Sequence, residues 1–325
     1  MIEFFLFELM GKPLWSWLLF IGFVGTLLSF DLGVLHKKSH EIGVGESLGL
    51  SAFYIVIGLG FGGVIWWWMG AQSATEYLTG FVVEKSLAMD NIFVIAMIFS
   101  YFAIPAAYQH RVLVYGILGV LILRGIMIAA GSAIVTEFSW VLYIFAAFLI
   151  ITGIRMLFTA QGHKDVSKSP MVQFMNKHMS MSKDLHGDKF FVRKADATGR
   201  LRLFATPVFG ALLMVEFADV VFAVDSIPAI FAITTDPYII LTSNVFAILG
   251  LRALYFALAA MVDRFIYLKY ALAVVLVFIG SKIFIADMFG LAKIPPMVSL
   301  SVTLGILAAG ILGSLWKTRT VEDEA

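Results

Sequence analysis

Five carboxylates stand in stretches too apolar for water. Glu84, Lys85 and Asp90-Asn91 lie in the run from Tyr77 to Pro105, and Glu216, Asp219 and Asp225-Ser226 lie in a second run later in the chain. Even the mildest insertion scale puts an Asp or Lys at the bilayer centre at about 2.5–3.5 kcal/mol. Acids retained against that penalty face the interior of a helix bundle and act there. Carboxylate, amide and hydroxyl oxygens suit hard divalent cations, whereas Zn, Cu and Ni favour imidazole or sulfur. The six histidines (His36, His40, His110, His163, His178 and His186) fall in loops or at run ends, and there is no cysteine. The expected ion is therefore Mn²⁺, Mg²⁺ or Ca²⁺. Met89 and Met214 lie near the acids and are read as packing residues, although a thioether would favour Mn²⁺ over Ca²⁺.

Spacing limits how these groups can meet. Glu216 and Asp219 are three apart and share a helix face. Glu84 and Asp90 are six apart, as are Asp219 and Asp225, which on a straight helix means about 240° of rotation and ~9 Å of rise. Convergence needs broken helices or two subsites along a pathway. Pro228 removes a backbone hydrogen bond just after Asp225 and predicts an interruption there; a break at Asp90-Asn91 is an option. Asn91 and Ser226 are candidate supporting oxygens. The cations available to the acids are Lys85, Arg124, Arg252 and Lys282. Arg252, in mid-run, is a counter-ion or a gate; Lys85 and Arg124, placed nearer the outer surface, are expected to snorkel. Asn244 opens a run and reads as an N-cap. Asp31 either guards an entrance or ends a helix in water. The plainer alternative for each acid is an ion pair that holds helices together.

The elements that must position these residues are transmembrane helices. The chain is 61% hydrophobic over 325 residues. At about 20 residues per span, about nine runs qualify: 14–35, 48–70, 78–102, 111–131, 139–158, 206–227, 243–262, 269–287 and 297–316. Sixteen Lys and Arg fall on one side: Lys37, Lys38, Arg111, Arg264, Lys269, Lys317, Arg319 and nine more in 159–205. Only Lys12 and Lys293 fall on the other, so the predicted topology is N-out/C-in. The chain then divides into 1–158, a cytoplasmic segment 159–205, and 206–325. Within that segment, Pro170 to Met181 could form a short helix with Val172, Met175 and Met179 on one side. Lys189–Arg193 and Leu201–Phe204 flank a turn sequence, Ala-Asp-Ala-Thr-Gly, and predict a β-hairpin.

The chain also repeats itself. Glu84…Asp90-Asn91 matches Asp219…Asp225-Ser226, Tyr115-Gly-Ile-Leu-Gly119 matches Phe246-Ala-Ile-Leu-Gly250, and Thr152-Gly-Ile-Arg-Met156 matches Ile279-Gly-Ser-Lys-Ile283. The order is kept, so spans 3–5 pair with spans 6–8 as an inverted repeat. In secondary transporters so built, the site lies near the midplane between repeats. The Trp66-Trp67-Trp68 run reads as an interfacial anchor. A phosphate loop and an intramembrane nucleophile–histidine pair are both missing, so no enzyme and no resident cofactor are expected. The net charge of +1 gives no reason to expect nucleic acid. The N-terminus lacks a basic n-region and is expected to be retained.

Glu84-Lys-Ser-Leu-Ala-Met-Asp-Asn, Glu216-Phe-Ala-Asp-Val-Val-Phe-Ala-Val-Asp-Ser-Ile-Pro-Ala and Ser243-Asn-Val-Phe-Ala-Ile-Leu-Gly-Leu-Arg-Ala resemble the TerC family, most closely its Alx-type members. Ser29-Phe-Asp-Leu and Phe190-Phe-Val-Arg extend the resemblance. It implies a multi-pass protein of the bacterial inner membrane, within the LysE-like exporter superfamily. Alx-type members look like Mn²⁺ exporters; the family is named for tellurium resistance, and relatives are linked to metal supply for exported enzymes. The matching acids would be Glu84, Asp90, Glu216, Asp219 and Asp225. The expected function is Mn²⁺ export with the ion as cargo and proton coupling as an option. The alternatives are export of another small solute, or an assembly or metal-delivery role in which 159–205 docks a membrane or exported protein.

Overall fold

The computed structural model describes residues 7–30, 44–158, 169–182, 184–195, 201–258, 267–289 and 295–323. Their fold is helical, as a solvent without hydrogen-bonding groups demands of any backbone within it. In order come α1 (Leu14–Phe30), α2 (Val44–Met69), α3 (Ala71–Tyr101), α4 (Ala106–Glu137), α5 (Val141–Phe158) and α6 (Pro170–His178). They are followed by α7 (Pro207–Phe231), α8 (Pro237–Leu249), α9 (Leu251–Leu258), α10 (Leu268–Met288) and α11 (Pro296–Asp323). Two antiparallel hairpins complete the set, β1 (Glu8–Leu9) with β2 (Lys12–Pro13) and β3 (Phe191–Ala195) with β4 (Leu201–Ala205).

Over their described residues, eight of the nine predicted runs each fall on one helix, and the run 243–262 is divided between α8 and α9. Among the described residues, six helices (α2, α4, α5, α7, α10 and α11) are long and apolar enough to cross a membrane by length and composition. Helices α1 and α8 are apolar but shorter, and α3 is long but charged in its middle. Side chains such as Ile122, Ile126 and Ile151 point outward, an apolar exterior that suits lipid.

Three helices start on the same device. Ser169-Pro170, Thr206-Pro207 and Asp236-Pro237 each place a capping oxygen before a proline at the first turn, where its missing N–H is no loss. Asp236 Oδ1 accepts from the N–H of Tyr238 at 3.0 Å and of Ile239 at 3.4 Å. This corrects the expectation for Asn244: Asp236 caps α8, and Asn244 lies buried inside it. The predicted interruption also falls elsewhere. Both α3 and α7 run unbroken past their acids, with Pro228 inside the last turn of α7, where only one hydrogen bond is forgone. The discontinuity is at Gly250, between α8 and α9.

Two glycines set the closest helix crossing. A Cβ on Gly153 of α5 would lie 2.7 Å from the Ala273 carbonyl oxygen of α10, and one on Gly280 would lie 2.6 Å from the Ala146 carbonyl oxygen of α5. The contacts run in opposite order along the two helices, which are therefore antiparallel. By the same test α3 runs parallel to α8, through Gly80–Ser243 and Phe81–Gly58–Phe246, and α4 runs parallel to α7, through Gly116–Val215 and Gly131–Phe231.

The 169–205 segment packs onto one end of the bundle. Val172 and Met175 of α6 are buried and Met179 packs beside them, against α7 and the start of α4. In the hairpin Val192 faces Phe204 and Arg193 faces Leu203. Phe190 meets Tyr115 and Phe191 meets Phe209, while Arg111 pairs with Asp188 and lies over the Phe190 ring. Hairpin and helix starts thus form one connected layer.

Candidate functional site

The site is built around Arg124. A lone guanidinium inside a hydrocarbon-facing bundle must be paired, and four neighbouring groups do this. Nε donates to Asp219 Oδ2 at 3.1 Å and Nη2 to Asp219 Oδ1 at 3.0 Å, a two-pronged pair that uses the planar fork of arginine. Nη1 donates to Glu84 Oε1, to Ser226 Oγ at 3.2 Å and to Asn244 Oδ1 at 3.2 Å. Arg124 is 2% exposed and Glu84 1%. These groups come from α3, α4, α7 and α8, and Asp219 is the middle residue of α7. The formal charge of Arg124, Glu84 and Asp219 together is negative by one.

Arg124 therefore does not snorkel. Helix α4 continues to Glu137, past the apolar run that ends at 131, and this carries Arg124 into the interior. Of the predicted site residues, the structure brings Glu84, Asp219, Ser226 and Asn244 onto one guanidinium. Glu84 Oε2 and Asn244 Nδ2 are buried with no hydrogen-bond partner among the described residues.

Glu216 shares the α4-facing side of α7 with Asp219, as its spacing predicts. Its carboxylate occupies the space over Gly119, where any Cβ would collide with it, and its Oε2 has no hydrogen-bond partner among the described residues. Gly119→Ala is therefore expected to push the carboxylate aside. The obstacle is the end of a flexible side chain, and alanine regains about 1 kcal/mol of helix propensity. Thermal unfolding, followed in detergent, should stay close to that of the wild type.

Lys85 lies away from this cluster. Its Nζ donates to the Ala247 carbonyl at 3.1 Å and sits over Gly250, where a Cβ would come within 2.6 Å of it. Ala247 is in the last turn of α8, whose carbonyls lack helical partners because the helix stops. Lys85 thus satisfies the end of α8 and is not aimed at the acids. Asn91 is buried and lines a small crevice of about 40 Å³ with Ile95, Leu113, Gly116, Asp219 and Tyr255. That crevice lies in the half of the bundle next to α6 and has Asp219 in its wall. Tyr255, also in its wall, donates to Gln109 Oε1 at 3.1 Å. A second cavity, about 200 Å³, lies toward the other end and is lined by Glu76, Thr79, Thr234, Lys282 and Asp287 among others.

The side chains of Asp90, Asp225 and Arg252, and all of Asp31, lie outside the described residues. Among the described residues no three Asp, Glu or His side chains converge on one point. Sequence reasoning misplaced Arg124, Asn244 and Lys85, which is buried on the Ala247 carbonyl and does not snorkel; for Arg124 the signal was an arginine in mid-helix once the full length of α4 is counted.

Residues 69–322 match the profile described as the integral membrane protein TerC family. An uncharacterized membrane protein of Rickettsia bellii is 47% identical, covering 95% of this chain and 100% of its own length. An uncharacterized membrane protein of Myxococcus xanthus is 46% identical, covering 96% and 95%. A candidate membrane-bound redox modulator of Escherichia coli K12, Alx, is 44% identical, covering 94% and 95%. No solved structure matches. The match spans the four helices that meet at Arg124, and the chain belongs to the TerC family of integral membrane proteins.

Proposed function

We propose that this protein is a multi-pass transporter of the bacterial inner membrane that exports Mn²⁺ from the cytoplasm. The observation that carries the reading is the buried cluster of Glu84, Asp219 and Arg124, which remains formally negative after its internal pairing and borders a crevice at Asp219. A negative site favours a cation over an oxyanion such as tellurite. Glu84, Asp219 and Glu216, with Asp90 and Asp225 on the same helices, would supply carboxylate oxygens of the kind a hard divalent ion takes.

The nine-span, N-out/C-in arrangement with spans 3–5 and 6–8 as inverted repeats belongs to this reading. Supporting it, Gly153 and Gly280, matched in the repeat, make reciprocal contacts: each meets the carbonyl of the residue seven places before the other. The pairs α3–α8 and α4–α7 likewise cross from one repeat to the other. With 159–205 cytoplasmic, the crevice faces the cytoplasm, as loading for export needs. The redox description of the Alx relatives has no thiol counterpart here, since this chain has no cysteine.

A second reading keeps 159–205 as a docking surface for a membrane or exported protein, because Phe191, Leu201 and Leu203 of the hairpin are exposed. The test is Mn²⁺ flux in proteoliposomes, wild type against Asp90→Asn and Asp225→Asn. Flux in the wild type and little in the variants is expected. No wild-type flux refutes transport, and equal flux in all three refutes the role given to Asp90 and Asp225; loss of cellular function on hairpin deletion alone would favour docking.

A further inference from the structure

We propose that Arg124 is a tethered competitor of the transported cation: it occupies the acids in the empty protein and must leave them when a divalent ion binds. The inference rests on the transporter reading and adds to it a residue that sets affinity and couples loading to movement.

Three observations carry it. First, Arg124 engages the acids directly, with both Asp219 oxygens and Glu84 Oε1 taken up by its N–H groups. A divalent ion seeking those oxygens meets them already engaged. Second, the pairing is unequal. Glu84 Oε2 is buried and unpartnered beside the guanidinium, so the acids hold more acceptor capacity than Arg124 uses. Third, space lies beside Asp219. A small crevice lined by Gly116, Val120, Ala218 and Tyr255 borders Asp219, and Arg124 is not among the residues that line it.

The electrostatics point the same way. Arg124 with Glu84 and Asp219 carries one net negative charge. Adding a dication with Arg124 still in place would make it net positive in a medium where unbalanced charge is heavily penalised. Exchange of the guanidinium for the dication instead makes the two acids and the ion neutral and moves the remaining positive charge, that of Arg124, off the carboxylates. Arg124 then needs new acceptors. Ser226 Oγ and Asn244 Oδ1, already on Nη1, can hold it while it withdraws from the carboxylates.

If the site is free of Arg124 for a tenth of the time or less, the apparent affinity is weakened about tenfold or more relative to an unguarded site. Mn²⁺ binding to purified full-length protein, measured by calorimetry for wild type, Arg124→Gln and Arg124→Lys, tests this. Arg124→Gln should bind Mn²⁺ about tenfold or more tightly than wild type, show a larger Mn²⁺-induced rise in melting temperature, and transport more slowly because nothing expels the ion. Arg124→Lys, which keeps the charge but loses the fork, should fall between and serves as the deciding variant if Arg124→Gln does not fold. A folded variant that binds Mn²⁺ as weakly as wild type, or more weakly, overturns the proposal and leaves Arg124 a structural brace. A wild type that binds no Mn²⁺ refutes the transporter reading instead, whatever the variants do.

Discussion

Asp219→Ala is expected to lower stability by about 3–5 kcal/mol and to silence cation transport, because it breaks a buried ion pair from one side. Two of the hydrogen bonds to Arg124, at 3.0 and 3.1 Å, end on Asp219. Their loss leaves a guanidinium in the bundle with Glu84 as its one charged partner among the described residues. Asp219→Asn keeps the shape and one acceptor, so its stability loss should be nearer 1–3 kcal/mol. Glu216→Gln provides the contrast. Its Oε2 has no hydrogen-bond partner among the described residues, so a neutral amide should change stability by less than about 1 kcal/mol while removing a carboxylate from the proposed site. Denaturant titration in detergent reads stability, and proteoliposome flux reads transport. Equal destabilisation by Asp219→Ala and Glu216→Gln would contradict the geometry. A double-mutant cycle between Arg124 and Asp219 should give a coupling of about 2–3 kcal/mol.

Gly153→Ala and Gly280→Ala should each destabilise by about 1–3 kcal/mol, despite the gain in helix propensity. What their new methyl groups meet is backbone, the Ala273 and Ala146 carbonyl oxygens, at 2.7 and 2.6 Å. Backbone cannot rotate away as the Glu216 carboxylate can over Gly119, so α5 and α10 must move apart. The two losses should match, since each glycine plays toward the other helix the part the other plays toward its own. The double variant should lose less than the sum, because the first substitution already parts the helices. Gly60→Ala and Gly63→Ala on α2 are the controls. A Cβ at either meets nothing within 4 Å, and neither should lower the melting point.

Much of the helical layout could be read from hydropathy, since every apolar run but 243–262 falls on one helix over its described residues. The acids could be read too, because a carboxylate in such a run is anomalous by composition alone. What those acids face could not. Helix α4 has no strong stop signal near 131, and its extension to Glu137 is what moves Arg124 from an end to the middle. The position of the helix break was hidden for a similar reason. Pro228 carries the stronger local signal, yet so close to the end of α7 it disturbs little. Gly250 carries a weak one but must yield to Lys85, which lies over it. Asn244 was read as a cap because the run seemed to begin beside it, while Asp236-Pro237 had already started the helix. Each difference arises from tertiary contacts between residues far apart in the chain, which local pattern does not carry.

The position of Arg124 has one more implication. The spacing that maps Gly119 onto Gly250 maps Arg124 onto Tyr255. Two halves exchanging roles would have end states of equal energy if they were identical, and the empty molecule would divide itself evenly between them. Here one half presents a cation to the central acids. The other presents a phenol, bonded instead to Gln109. On the proposed function, this difference would bias the facing of the unloaded protein. A pump that must wait on one side of a membrane for scarce cargo needs such a bias, and Arg124 would contribute to it through charge carried on one helix.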